Sequence, residues 1–218
     1  MRTRLKVCCI SSADEARLAI ALGADALGLV SSMPSGPGVL EEPLIAEIAP
    51  GVPPPVATFL LTSEVDAQTL VAQARRCLCS VLQLCDSVEP ATYQVLREAL
   101  PALKLVQVVH VLGSDSIAEA LAASLHVDAL LLDSGNPALR VKELGGTGRT
   151  HDWGVSRAIR EQAKVPVFLA GGLRPENVAE AVRTVEPFAV DVCSGVRTNG
   201  RLDAGKLEAF VAALSRSR

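Results

Sequence analysis

Eight apolar runs of strand length, each followed by a segment with helical spacing, constrain this chain more than any other feature. The runs begin at Leu5, Ala24, Val56, Val81, Lys104, Asp128, Pro166 and Ala189. Between them, sets such as Ala67, Leu70, Val71 and Ala74 recur at i, i+3, i+4, i+7, the signature of a helix with one buried face. Most strand runs are continuously apolar rather than alternating, as expected of strands covered on both sides. Regular alternation of this kind gives a parallel sheet flanked by helices. Eight units in 218 residues predict a closed (β/α)8 barrel as a single domain over 1–218, at the short end of that architecture's range. An open doubly wound sheet is the alternative.

Composition narrows the function classes. Hydrophobic residues make up 49% of the chain, enough for a large core, while aromatics are only 3%. So few aromatics leave little to stack nucleic-acid bases on, and a net charge of −3 without a basic run gives a polyanion nothing to hold. No apolar stretch reaches membrane-spanning length and the N-terminus lacks a signal-like apolar core. A cytoplasmic protein without nucleic-acid or membrane partners is expected. The six cysteines have no zinc-ligand spacing, and a chain of this size needs no disulfide frame. Most read as small buried hydrophobes.

Two turns carry the strongest local signal. Pro166 to Ala170 is a strand run that meets Gly171-Gly172, after which Pro175 opens a segment whose Val178, Ala181, Val182 and Val185 lie on one helical face. Adjacent glycines before a helix allow close backbone approach and leave free N–H groups for an anion. Ala189 to Cys193 ends in Ser194-Gly195 in the same way. In a parallel barrel, the last two strand-to-helix loops frequently build a phosphate site. The expected ligand is therefore a phosphorylated small molecule.

Chemistry in such a barrel sits at the C-terminal strand ends. Cys8 lies near the end of the first run, and Asp133 closes the sixth. A thiol and a carboxylic acid at one barrel mouth make an acid–base pair. Asp191 within the eighth run reads as structural, and His110 as a half-buried, hydrogen-bonded histidine.

These residues resemble the phosphoribosylanthranilate isomerase family. Lys6-Val7-Cys8-Cys9-Ile10-Ser11 is similar to that family's Lys-Ile-Cys-Gly-Ile-Thr opening. Gly23 to Gly28, Leu131-Leu132-Asp133-Ser134, Gly145-Gly146-Thr147-Gly148 with Asp152-Trp153, Gly171-Gly172-Leu173 with Pro175 to Val178, and Val190 to Val196 match in order. The resemblance implies an Amadori rearrangement of N-(5-phosphoribosyl)anthranilate in tryptophan biosynthesis, with no metal and no cofactor. It implies Asp133 as general acid and Cys8 as general base. Phosphate would rest on Gly171, Gly172, Ser194 and Gly195, with Gly146 nearby. It leaves the assembly as monomer or homodimer.

The chain also departs from the family's pattern. The arginine that meets the substrate's carboxylate reads Pro37, Gln-Leu-His-Gly reads Gln83-Leu84-Cys85-Asp86, and a glycine and a serine read Cys9 and Cys193. Arg174 or Arg197 is the expected substitute cation. The alternatives to the isomerase are a divergent paralogue acting on another phosphorylated sugar, and a non-catalytic phosphate-binding barrel.

Overall fold

The computed structural model describes residues 2–216. Eight parallel strands close on themselves: β1 Arg4–Val7, β2 Ala26–Val30, β3 Ala57–Thr62, β4 Val81–Leu84, β5 Lys104–His110, β6 Ala129–Asp133, β7 Val167–Leu169 and β8 Ala189–Val192. Each pairs in register with the next, and β8 returns to β1 through Arg4↔Ala189 to Val7↔Val192. The helices are α1 Ala13–Ala21, α2 Glu42–Ile48, α3 Ala67–Cys77, α4 Pro90–Ala99, α5 Asp115–Ser124, α6 Trp153–Gln162, α7 Val178–Val185 and α8 Ala204–Ser215. The closed barrel excludes the open-sheet alternative.

Strand periodicity sorts the apolar residues into two cores, because successive side chains point to opposite faces. Leu5, Val7, Leu27, Leu29, Leu82, Leu84, Leu130, Leu132, Val190 and Val192 pack outward with the helices. Ala26, Val30, Phe59, Leu61, Val106, Val108, Ala129, Leu131, Phe168 and Ala189 fill the barrel. The inward parity continues past the apolar layers to Cys8, Cys85, Asp133, Ala170 and Cys193, so the same alternation that packs the interior delivers the polar groups to the mouth.

Four helix starts are capped by side chains. Ser12, Asp66, Asp152 and Asp203 each accept a backbone N–H of the following turn, satisfying donors the helix itself leaves free. One start differs. The segment after Gly171-Gly172 becomes helical only at Val178. Asn177 instead braces the turn, its side-chain carbonyl accepting from Arg174 N–H and its amide donating to Gly172 O. A short hairpin, β9 Arg197–Thr198 with β10 Arg201–Leu202, lies between β8 and α8. Asn199 and Gly200 turn it with φ of 50° and 78°.

Candidate active site

The C-terminal strand ends surround a cleft of about 700 Å³, counting the open solvent at its mouth. Cys8 and Asp133 both line it, from the ends of β1 and β6, three strands apart around the barrel. Cys8 is only 6% exposed and Asp133 8%. One Asp133 carboxylate oxygen accepts the Ser134 N–H at 2.7 Å. The other faces Gly145, where a Cβ would stand 2.9 Å away. Glycine at 145 therefore leaves space for a ligand atom beside the acid, and its φ of 140° is one that L side chains rarely adopt.

Below the thiol lies a buried ion pair that the sequence reading missed. Lys6 Nζ donates to Asp191 Oδ2 at 2.8 Å, with Lys6 fully buried. Burial, the largest single influence, opposes the ammonium, but the Asp191 charge and hydrogen bond together with the charges of Cys8 and Cys85 outweigh it and raise the Lys6 pKa above its ordinary value. Burial likewise pushes the Asp191 carboxyl up, against the pull of Lys6. Space for a Cβ at Gly28 would bring it 2.9 Å from Cys8 Sγ and 3.2 Å from Lys6 Nζ, so glycine there keeps thiol and ammonium next to one another. The expectation that Asp191 is structural holds in part: it also lines the cleft.

The far side of the cleft is backbone. The loop between β6 and α6 brings Gly145, Gly146, Thr147 and Gly148 against Gly171, Gly172 and Ser194. The approach is closest where a side chain cannot fit. A Cβ at Gly172 would stand 2.6 Å from the Arg149 carbonyl carbon, and one at Gly195 2.0 Å from the Leu173 oxygen. Ser194 to Val196 forms a single 3-10 turn. Gly195 itself lies behind the lining, packed on the neighbouring turn. His151, not singled out from sequence, sits beneath Gly171; burial lowers its pKa, and Nε2 pairs with Ser156 Oγ at 2.7 Å.

The β2–α2 loop closes over this side. Ser35 Oγ donates to Lys142 O at 2.7 Å. The Pro37 ring lies against Gly146, 2.6 Å from where a Cβ would be. Lys142 pairs with Asp86.

Two expectations about cations require correction. Arg197 is not available to a ligand: it is 9% exposed and its guanidinium donates to Glu15, the carbonyls of Cys8 and Cys9, and Gly200 O. Arg174 is exposed, next to Glu176, and outside the cleft. Among the described residues the cleft lining contains no lysine or arginine.

Most of the cysteines are buried, as expected, and they divide by their distance from the cleft. Cys77 and Cys79 are buried away from the cleft; burial pushes their thiols up to about 11 and about 12. Cys85 is buried at the cleft floor, its thiol likewise pushed up to about 12 by burial. Cys9 and Cys193 line the cleft beside Cys8. His110 is fully buried rather than half-buried, its Nε2–H donating to Cys85 O at 3.1 Å. Among the described residues, no group of three or more His, Cys, Asp or Glu side chains is placed to hold a metal ion. No helix of these residues is long and apolar enough to cross a membrane.

Comparison with known proteins decides the family. The model of N-(5'-phosphoribosyl)anthranilate (PRA) isomerase matches residues 5–213. The chain belongs to that family. It is 38% identical over 199 residues to the N-(5'-phosphoribosyl)anthranilate isomerase of Haloarcula marismortui, covering 91% of this chain and 89% of that one. The Halobacterium salinarum isomerase is 38% identical over 214 residues, covering 96% and 94%. Among solved structures, the Thermus thermophilus phosphoribosyl anthranilate isomerase superposes with a TM-score of 0.83 at 26% identity, covering 99% of this chain and all of that one. Another isomerase of the family, solved in complex with reduced 1-(o-carboxyphenylamino)-1-deoxyribulose 5-phosphate, gives 0.79 at 25% identity over 98% and 99%. The Thermotoga maritima enzyme is described as dimeric.

Proposed function

We propose that the chain is an isomerase that converts N-(5-phosphoribosyl)anthranilate to the corresponding 1-amino-1-deoxyribulose 5-phosphate, a step of tryptophan biosynthesis. The observation that carries this reading is that Cys8 and Asp133 line one cleft together with glycine-rich backbone from three neighbouring loops. Phosphate rests on the N–H groups of Gly171, Gly172 and Ser194, with Gly195 bracing the Ser194 turn from behind and Gly146 nearby, where turn dipoles favour an anion. That anchor lays the ribose across the space between acid and base.

Asp133 protonates the ribose ring oxygen, the C1–O bond breaks, and the anilino nitrogen's lone pair forms the C1–N double bond of an iminium. Cys8, as thiolate, then takes the C2 proton. The C2–H electrons form a C1–C2 double bond, the iminium electrons return to nitrogen, and the enolamine tautomerises to the C2 ketone. A positioned acid or base of this kind contributes about 10²–10⁴-fold each. The nearby Lys6 ammonium offers positive charge beside the thiolate. No step calls for a metal or cofactor.

A second reading, an isomerase for another phosphorylated sugar, is favoured by one observation: the cleft lining lacks any cation to meet the substrate's carboxylate. Complementation of a tryptophan auxotroph lacking this isomerase separates the two. Growth supports the first; failure to grow despite soluble expression favours the second. The reading places the chain in the cytoplasm as monomer or homodimer, which sedimentation would distinguish.

A further inference from the structure

The two thiols at which the chain departs from the family's pattern beside the active site meet each other. Cys9 follows the first strand and Cys193 follows the last, 184 positions apart, yet their sulfurs lie 2.8 Å from one another. Barrel closure brings them together, since β1 and β8 are paired in register. Cys9 Sγ is also 3.9 Å from Cys8 Sγ. Cys9 is held in place from three sides. Its backbone is left-handed, with φ of 61°. Arg197 binds its carbonyl, and Gly38 presses on its Cβ, where a glycine-to-alanine change would intrude to 2.5 Å. Cys193 is partly exposed and lines the cleft, so a small solute reaches it first.

We propose that Cys9 and Cys193 form a redox modification site, converted by hydroperoxides to a disulfide that shuts the adjacent cleft. The Cys193 thiolate attacks one oxygen of the hydroperoxide. The O–O bond breaks, the departing alkoxide or hydroxide takes up a proton, and Cys193 becomes a sulfenic acid. The Cys9 sulfur then attacks the Cys193 sulfur. The S–S bond forms, the S–O bond breaks, and hydroxide leaves with the Cys9 proton as water. Two thiols and ROOH thus give one disulfide, ROH and water, and a dithiol reductant reverses the change.

The electrostatics agree with this division of roles. The hydrogen bond with Cys9, and after it the Arg197 charge, lower the Cys193 pKa against the burial that raises it, whereas the same contact with Cys193 raises that of Cys9. Cys193 is therefore the attacking thiolate and Cys9 the resolving thiol. Closing the gap to the roughly 2.05 Å of a disulfide draws the end of β1 and the turn after β8 together. Cys8 and Ser194 are the immediate sequence neighbours of the two cysteines. Their loss of position rests on the isomerase reading above; formation of the bond does not.

The test treats the reduced protein with hydrogen peroxide and maps its cysteines by non-reducing peptide mass spectrometry, with isomerase turnover measured in parallel. The expected result is a Cys9–Cys193 linked peptide, two hydrogens lighter, that dithiothreitol removes. Turnover should fall about tenfold, the scale of a sub-ångström misplacement at a reacting centre, and return on reduction. Cys9→Gly should lose both the cross-link and the reversibility, Cys193 instead progressing to sulfinic acid. Oxidation that joins other cysteines, or peroxide that leaves this pair reduced, overturns the site. A disulfide that leaves turnover intact overturns the shutting of the cleft. A reduced protein without turnover defeats the isomerase reading instead, and the peptide map still decides the site.

Discussion

Replacing Gly195 with alanine probes the junction on which the proposed phosphate site depends. In the structure an alanine Cβ at this position would stand 2.0 Å from Leu173 O, 3.0 Å from its carbonyl carbon and 3.1 Å from Arg174 Cα. All three are backbone, so no side chain can swing aside. Ordinary contact begins near 3.4 Å, so the turn after β8 and the turn after β7 must part by about 1.4 Å. A displacement of about 1 Å in a group that positions substrate costs on the order of 10²-fold, or about 2.7 kcal/mol. Because a phosphate held between these turns would be gripped in ground and transition states alike, the loss should fall mainly on KM. Steady-state kinetics on Gly195→Ala should therefore show KM raised by about 10²-fold with kcat much less changed, and inhibition by inorganic phosphate weakened in parallel. Gly51→Ala is the control, since nothing lies within 4 Å of its added Cβ. A Gly195→Ala protein that is folded and keeps the parent's KM and phosphate inhibition refutes the proposal that these two turns hold the phosphate together.

Other consequences are equally direct. Pro37→Arg restores a cation to a cleft lined by none and should raise kcat/KM for the anthranilate substrate; an unchanged value places carboxylate recognition elsewhere. Lys6→Met leaves the Asp191 carboxylate buried without its partner and should destabilise the fold by about 3–5 kcal/mol in urea unfolding, with much of the loss recovered in Lys6→Met/Asp191→Leu. Glu15 is opposed by burial, but bonds from Arg197 and from the Leu202 and Ser11 amides hold its pKa below the ordinary value. Its stabilisation is therefore present above about pH 4.3 and lost as pH falls through the lower folded value. Glu15→Gln should flatten the pH dependence of stability in that acidic window; an unaltered slope assigns acid unfolding to other carboxylates.

The architecture was legible because most strand runs are continuously apolar and each is followed by a segment with helical spacing. Cys8 and Asp133 could be placed at one mouth because both fall at the ends of strand runs whose inward parity they continue. Contacts that depend on barrel closure were not legible in the same way. Lys6 and Asp191 are 185 positions apart and become neighbours only through the β1–β8 register. A lysine inside an apolar strand was nonetheless a visible signal, since a buried charge requires a partner. Arg197 was misassigned to ligand binding because sequence shows a cation near a site but not that Glu15 and three carbonyls have already taken it. The Cys9–Cys193 contact had no local signature at all. The β9–β10 hairpin did have one, Asn199-Gly200, a pair suited to the two positive φ values of a tight hairpin turn.

The measurement that bears most directly on the central claim is turnover of N-(5-phosphoribosyl)anthranilate by the purified, reduced protein, followed through the loss of anthranilate-type fluorescence, alongside Cys8→Ala and Asp133→Asn. The account predicts measurable isomerisation by the parent and a fall of at least about 10²-fold in each variant, with all three proteins folded. Activity that survives the loss of Cys8 or of Asp133, or a folded parent that turns over no substrate, would contradict it.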